Sequence, residues 1–297
     1  MSPKPIAKDA LEQGSEHLYH AYTADEDRER TNVHYEVPPE FFTLITGGEW
    51  NVYSCNLWDG AEDDTQSQEM KLDMMARFME LESGKRILDV GCGWAGPLVY
   101  LCQKYSVEGL GLTISPTQKQ YAEQRIAKYG VDARVIDSHW QEFVSDEPFD
   151  AIYTDEVIVH FNDLGGFFKK CHSLLRPGGK MVNKELHLFN PRLAQLPRGA
   201  AFVNEIYGVT GNYRTLAEEL KLANDAGFDV ERVQHLEHDN YERTLDHWQS
   251  NQYANRERLI AAVGEEHYKN FRMYLRIARQ VTRNMSLDVV VSRKFAA

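Results

Sequence analysis

Three things are scarce in this sequence: cysteine, positive charge and long apolar runs. Only four cysteines, Cys55, Cys92, Cys102 and Cys171, occur in 297 residues, and none forms a C-x-x-C pair. Their spacing argues against a zinc knuckle or a redox pair, and four free thiols suit a reducing, cytoplasmic setting better than a secreted scaffold. Lys and Arg number 33 against 45 Asp and Glu, a formal net charge of −12. Nucleic acid, whose binding rests on cations neutralising phosphates, is therefore an unsuitable partner. A local basic patch facing a membrane can still exist inside an acidic total. No stretch approaches the roughly 18 apolar residues of a membrane span, so stable membrane insertion is not expected. The N-terminus MSPKPIAKDALEQ lacks the apolar core of a signal peptide. Internal repeats and low-complexity linkers are also lacking. His235, His238 and His247 form no spaced set with a carboxylate, so no metal is expected.

What is present suits a globular chain: 42% hydrophobic and 26% charged residues. The length fits one large domain, or one domain with a sizeable insertion. Residues 8–31 read as an amphipathic helix plus an acidic surface stretch. Residues 34–58 are rich in aromatics, and Pro38 and Pro39 start a helix through Glu40–Ile45. Residues 65–82 predict a helix with Met70, Met74, Phe78 and Leu81 on one face. The apolar run RILDV, between Gly84 and Gly91, reads as a buried strand. Helices at 96–105, 116–130 and 163–176 then alternate with strands at 107–113, 132–136, 149–156 and 180–186. After residue 190 come a polar insertion, a helix at 214–226, a strand at 228–236, a long helix at 255–283 and a closing strand, SLDVVVSRKF. Phe271, Tyr274, Leu275, Ala278 and Val281 make a stripe on that long helix that reads as core packing. Strict alternation of strand and helix predicts an α/β fold, with a parallel sheet covered on both faces and a site at the carboxyl ends of its strands.

The most informative segment is LDVGCGWAG at 88–96, between the first strand and the next helix. Gly91 and Gly93 permit a tight turn and close approach of a ligand to backbone N–H groups. With Gly96 they match G-x-G-x-x-G, the dinucleotide fingerprint. Yet the second strand ends Gly111-Leu112-Thr113, without the carboxylate that holds a nicotinamide ribose. Asp89 instead precedes the first glycine, where it can order the turn and a ligand's amino group. A D-x-G-x-G loop opening such a unit resembles the first motif of S-adenosylmethionine (SAM)-dependent methyltransferases, as does the later LLRPGGKMV run.

A closer resemblance is to the cyclopropane fatty acid synthase and mycolic acid methyltransferase family. It rests on HYEVPPEFF (34–42), NVYSCNLW (51–58), LDVGCGWAG (88–96), GLGLTISPTQ (109–118), AGFDVERVQHLEHDNYERTLDHW (226–248) and the helix before SLDVVVSRKF. The resemblance implies a class I methyltransferase Rossmann-like fold. Its seven-stranded, mostly parallel sheet would carry helices on both faces. An N-terminal helical cap at 1–60 would cover the active site, and a methyltransferase domain at 61–297 would carry a substrate-binding insertion at about 190–215. SAM is the implied cofactor. Tyr53 and Ser54 would lie over its methionine end, Gly91 and Gly93 near the methionine and ribose, Thr113 and Gln118 by the ribose and adenosine, and Trp140 near the adenine.

The family's reaction is electrophilic: an alkene attacks the sulfonium methyl, a carbocation develops on the acceptor, and a base removes a proton. A preorganised anion and aromatic faces suit such a cation. In the cyclopropane synthases that resemblance implies a bicarbonate base held by Cys, Glu, His and Tyr. Cys55 and Tyr241 fall on the Cys and Tyr positions. Val159-His160 stands where Glu-His is expected, and the histidine expected in the fifth strand aligns near Lys184, with His187 three residues on. Bicarbonate is therefore left open. Glu156 lies four residues before His160, so both can face one pocket if that loop is helical. The candidate catalytic set is Glu156, His160, Tyr241 and Cys55. Lys184 and Glu185 read either as substrate-facing residues at a strand's carboxyl end or as a local surface ion pair.

These departures favour C-methylation of an alkene-bearing small lipid or isoprenoid-like metabolite over modification of membrane phospholipid. The acceptor pocket is expected between residues 34–58 and the insertion. For a diphosphate acceptor, Arg192, Arg198, Tyr213 and Arg214 would be the anion contacts. The alternatives are N-methylation of a small amine, cyclopropane fatty acid synthesis, and a silent relative that binds the cofactor and a partner protein. The oligomeric state stays open, a homo-oligomer included.

Overall fold

The computed structural model describes residues 23–35, 37–190 and 212–295. Its centre is β1 (Arg86–Val90), buried along its whole length, as a strand covered on both faces must be. It pairs in parallel with β2 (Glu108–Thr113) and β4 (Phe149–Asp155). β3 (Ala133–Asp137) pairs with β2, and β5 (Leu175–Leu188) with β4, both parallel. β7 (Met285–Lys294) runs antiparallel between β5 and β6 (Phe228–Leu236), giving the order 3-2-1-4-5-7-6. The chain moves outward from β1 to β3 and then returns to the other side at β4. That reversal opens a crevice at the carboxyl ends of β1 and β4.

The helices begin where local chemistry starts them. Asp63 caps α3 (Asp64–Phe78) by accepting from the Gln66 N–H, and Ser115 caps α5 (Pro116–Tyr129) through Gln118 N–H. Thr215 and Glu218 close a capping box on α7 (Leu216–Asp225). α4 (Gly96–Tyr105) and α6 (Leu164–Leu174) complete the set packed on the sheet. α2 (Pro39–Thr46), α8 (Asp239–Ala254) and α9 (Arg256–Val281) share a separate aromatic core, in which Phe41, Phe42, Trp94, Trp248 and Phe271 are buried together.

Three expectations shift. The helix read at 65–82 ends at Phe78, and its buried face is shifted: Met74 is buried as expected, but Ser67, Gln68, Lys71, Leu72 and Met75 also point inward, while Met70 and Phe78 are half-buried. Apolar spacing misplaced that face because three inward residues are polar and find partners: Ser67 donates to Asp64 C=O, Gln68 accepts from Trp50 N–H, and Lys71 pairs with Asp155. β5 is twice the expected length: it begins at Leu175, which pairs with Phe149 of β4, and its ladder with β7 runs on to Leu188. The long helix at 255–283 is interrupted at Gly264, at φ 82°, and is preceded by α8, whose polar sequence shows little apolar periodicity.

A buried ionic cluster fastens the far side of β5. The His187 ring lies 2.5 Å from Glu219 of α7 and 3.1 Å from Asp288 of β7. Burial alone would lower its pKa; the two carboxylates more than offset this and raise it to about 10. His187 thus ties α7 and β7 to β5.

Candidate active site

The crevice is a cavity floored by the carboxyl ends of β1, β2 and β4. The sequence-derived residues Tyr53, Ser54, Asp89, Gly91, Gly93, Thr113, Gln118 and Trp140 all line it, as do Glu156 and His160. Asp27, Thr31 and Tyr35 of α1 (Ala24–Tyr35) line it too. Apolar periodicity does not single out these three residues, because α1 is polar and has no apolar stripe. Arg28, paired with Asp137 and Glu142, and Asp27, 3.2 Å from the His139 ring, hold that helix over β3 and the loop that follows.

The glycine loop works differently from the sequence expectation. The N–H groups of Gly91 and Cys92 both donate to Leu112 C=O at 2.9 Å and are not offered to a ligand. Gly96 is required by packing, since a Cβ there would lie 1.6 Å from the Trp50 carbonyl oxygen. Gly93, at φ +51°, has open space where a Cβ would be, and that is the side open to a ligand. Such a loop offers room without an anion nest, which suits a cationic ligand better than a pyrophosphate. Asp89 adds charge: it is buried and accepts from the Tyr153 hydroxyl at 2.6 Å. Burial pushes its carboxyl up to about 7, although the Tyr153 hydrogen bond lowers it.

Aromatic rings form one wall. Tyr53 stacks on Trp248 at 5.0 Å and meets Phe42 edge-on at 4.8 Å and Tyr35 edge-on at 6.4 Å. Trp140 packs against Phe161 and Phe167 at 5.6 and 5.4 Å.

The polar wall is built on Asp155 and Glu156, where β4 ends. Ser54 does not face the cavity with a spare hydroxyl proton: it donates to Asp155 at 2.6 Å and accepts from Lys71 at 2.6 Å. Burial would raise the Asp155 carboxyl, but Lys184 and Lys71 hold it well below the usual carboxylate range. Burial would likewise lower Lys184, and Asp155 and Glu156 more than offset this. Lys184 therefore stays an ammonium with no exposed surface. This corrects both sequence readings of Lys184 and Glu185. Lys184 sits inside the long β5 and binds Asp155 at 2.9 Å and Glu156. Glu185, on the opposite face, accepts from the main-chain N–H groups of Val159 at 3.1 Å and Leu186 at 2.9 Å.

Glu156 gathers three donors. One carboxylate oxygen accepts from the Cys55 main-chain N–H at 2.8 Å and from the Lys184 ammonium; the other accepts from the Tyr241 hydroxyl at 3.1 Å. Burial pushes the Tyr241 phenol well above its ordinary value and Glu156 adds to this, so it remains a donor. The residue sits at φ +58°, in the left-handed region, with its N–H on Lys184 C=O at 2.7 Å. The loop from Glu156 to His160 is thus not α-helical, and only a 3-10 turn, Ile158–His160, follows. The Glu156 and His160 side chains both reach the cavity without an α-helix there.

Cys55 takes part through its backbone. Its thiol is buried beside Thr244, at 3.7 Å, and burial pushes it up to about 12. Only thiolates react at useful rates, and the other three cysteines are buried with raised pKa values as well. Iodoacetamide at pH 8 should leave all four unlabelled in the folded protein and label all four after denaturation, as read by mass spectrometry. Of the candidate diphosphate contacts, Arg214 is buried and donates to the main-chain carbonyls of Asn212, Phe161 and Asn162. It serves the fold, because its planar fork matches three converging carbonyls. Tyr213 is half-buried near Glu156 and Tyr274, while Arg192 and Arg198 lie outside the described residues. Among the described residues no group of His, Cys, Asp and Glu could hold a metal ion, and no helix is long and apolar enough to cross a membrane.

The family model for mycolic acid cyclopropane synthetase matches residues 22–291. Cyclopropane mycolic acid synthase 1 of Mycobacterium tuberculosis is 31% identical over 274 residues, 86% of this chain and 93% of that one. The solved cyclopropane synthase MmaA2 from Mycobacterium tuberculosis superposes with a TM-score of 0.83 at 25% identity, covering 90% of this chain and 98% of that one. Mycolic acid cyclopropane synthase CmaA1, solved with SAH and CTAB, gives the same TM-score and coverage at 28% identity. The seven-stranded sheet is that of the class I SAM-dependent methyltransferases.

Proposed function

Because this chain belongs to the mycolic acid cyclopropane synthetase family, and is a SAM-dependent methyltransferase like its relatives, we propose that it methylates an alkene carbon of a small apolar lipid or isoprenoid-like acceptor, with Glu156 accepting the proton that leaves. The observation that carries this reading is the Glu156 carboxylate itself, held by three donors on the wall of the cavity that the glycine loop opens.

The lining fits SAM: Gly93 leaves room, Asp89 supplies a negative charge, and Tyr53 and Trp140 offer apolar faces. When bound, SAM supplies an electrophilic methyl group; the alkene π pair forms the new carbon–carbon bond, and the pair of the broken sulfur–methyl bond stays on sulfur. The cation left on the acceptor is met by the aromatic rings, whose negative faces attract it, and by Glu156. The carboxylate is fixed beforehand, so no solvent has to reorganise as charge develops. A proton lost from a carbon beside the cation passes to Glu156 and leaves a methyl-branched alkene.

SAM carrying a CD3 group tests the outcome on a panel of small alkenes and amines. We expect an alkene product that retains three deuterons. Two retained deuterons would mean ring closure or methylene formation, and turnover of amines alone would replace the alkene reading.

Asp89 gives the binding a pH dependence. Its carboxyl lies at about 7 in the ligand-free protein, and a cation beside it favours the ionised form. Affinity for SAM should therefore be flat above pH 7 and fall by up to about tenfold per pH unit below it. Titration calorimetry from pH 5.5 to 8.5 measures this, and Asp89→Asn should flatten the profile.

A further inference from the structure

The family resemblance raises the question of a free anion beside Cys55 and Tyr241, and the geometry answers it from this chain's own atoms. Three donors converge there: the Cys55 N–H, the Tyr241 hydroxyl and the Lys184 ammonium. All three already bind one carboxylate, that of Glu156. Lys184 also donates to Asp155 at 2.9 Å. Val159, apolar and buried, contributes no side-chain donor, and its N–H is taken by Glu185. A second small anion would have to compete with Glu156 for every group of this set, and two anions in contact repel strongly where water is excluded. Residues of this site therefore do not fit a bicarbonate ion.

We propose that the Glu156 side chain is the resident anion of this active site, a tethered carboxylate in place of a diffusible one, so that the enzyme works without bicarbonate. Backbone geometry supports a dedicated role. Glu156 is a non-glycine residue at φ +58°, a conformation that is strained for an L-residue and persists only where the surroundings enforce it. Its N–H bond to Lys184 C=O and its three side-chain donors provide that enforcement. The proposal rests on the reading of Glu156 as the base, but it makes a claim about anion occupancy that needs no acceptor to test.

The decisive variant is Glu156→Gly. Glycine adopts a positive φ without strain, so the backbone is preserved while the carboxylate is removed and the three donors are left facing an opened space. Binding of 13C-bicarbonate and 13C-formate is followed by NMR titration on the purified full chain. The wild type should bind neither at 20 mM, at about which the Glu156→Gly variant should bind both, saturating with competition between them. Stoichiometric bicarbonate on the wild type would overturn the proposal, and so would a folded Glu156→Gly variant that binds neither anion. An activity arm runs in parallel with any alkene the wild type converts. Wild-type turnover should be unchanged in CO2-depleted buffer, and the Gly variant should recover at least tenfold on adding bicarbonate or formate. A tenfold loss of wild-type turnover on depletion, restored by bicarbonate, would also overturn it. If the variant does not fold, the wild-type titration and depletion still decide. If no alkene is converted but the titrations come out as expected, the acceptor reading fails and the tethered anion stands.

Discussion

Glu156→Gln should lower turnover about 10²–10⁴-fold, the usual contribution of a positioned general base, while affinity for the demethylated cofactor changes by less than about threefold. The substitution keeps the size and shape of the side chain and removes only its charge and its ability to take a proton. Its remaining oxygen can still accept from one of the groups at Cys55 or Tyr241, and Lys184 keeps Asp155 as a partner. The fold should therefore survive, which circular dichroism and thermal unfolding would verify beside single-turnover kinetics. Turnover within fivefold of the wild type would remove Glu156 from the chemistry.

Lys184→Met should have the largest effect on stability. Lys184 has no exposed surface and is shared by two carboxylates, Asp155 and Glu156. Removing one member of a buried ionic cluster leaves charge uncompensated, which costs about 3–5 kcal/mol. Lys71 still faces Asp155 in the variant, but no ammonium remains on Glu156. The sign with pH follows from the shifts. Asp155 is depressed and Lys184 raised relative to the unfolded chain. The cluster's contribution is therefore full from above the ordinary carboxylate pKa to below the ordinary lysine pKa. It is lost in acid as Asp155 protonates, and in alkali as Lys184 gives up its proton. Urea unfolding at pH 7 measures the difference; a loss below about 1 kcal/mol would mean the cluster is not holding β4 to β5.

Much of this was legible in the residues, for identifiable reasons. Strands such as RILDV are short, apolar and flanked by glycines, so burial on both faces shows in composition alone. The glycine loop is local in sequence, and every cofactor-lining residue inferred from it and from the later motifs reaches the cavity. Less legible was whatever depends on long-range polar pairing. Lys71 carried no sequence signal of its own, and Lys184 read either as substrate-facing or as part of a surface ion pair, because nothing within a few residues of either reveals Asp155. The orientation of Glu156 was missed for a related reason. Its left-handed backbone is imposed by β5 and by Cys55, about one hundred residues away in the chain, whereas i,i+4 spacing to His160 suggested a helix. The shifted face of α3 has the same origin: polar residues go inward when a distant partner satisfies them, and a hydrophobic pattern cannot register that.

The central claim is that the cofactor cavity and the Glu156 cradle are one compartment, with the transferable methyl directed into it. A crystal structure with a donor analogue that carries an amine in place of that methyl tests this most directly. The amine nitrogen should face the compartment bounded by Tyr53, Tyr241 and Glu156, within about 6 Å of the carboxylate, close enough for one acceptor carbon to bridge them. An amine directed away from Glu156, toward Trp140 or solvent, would contradict the account.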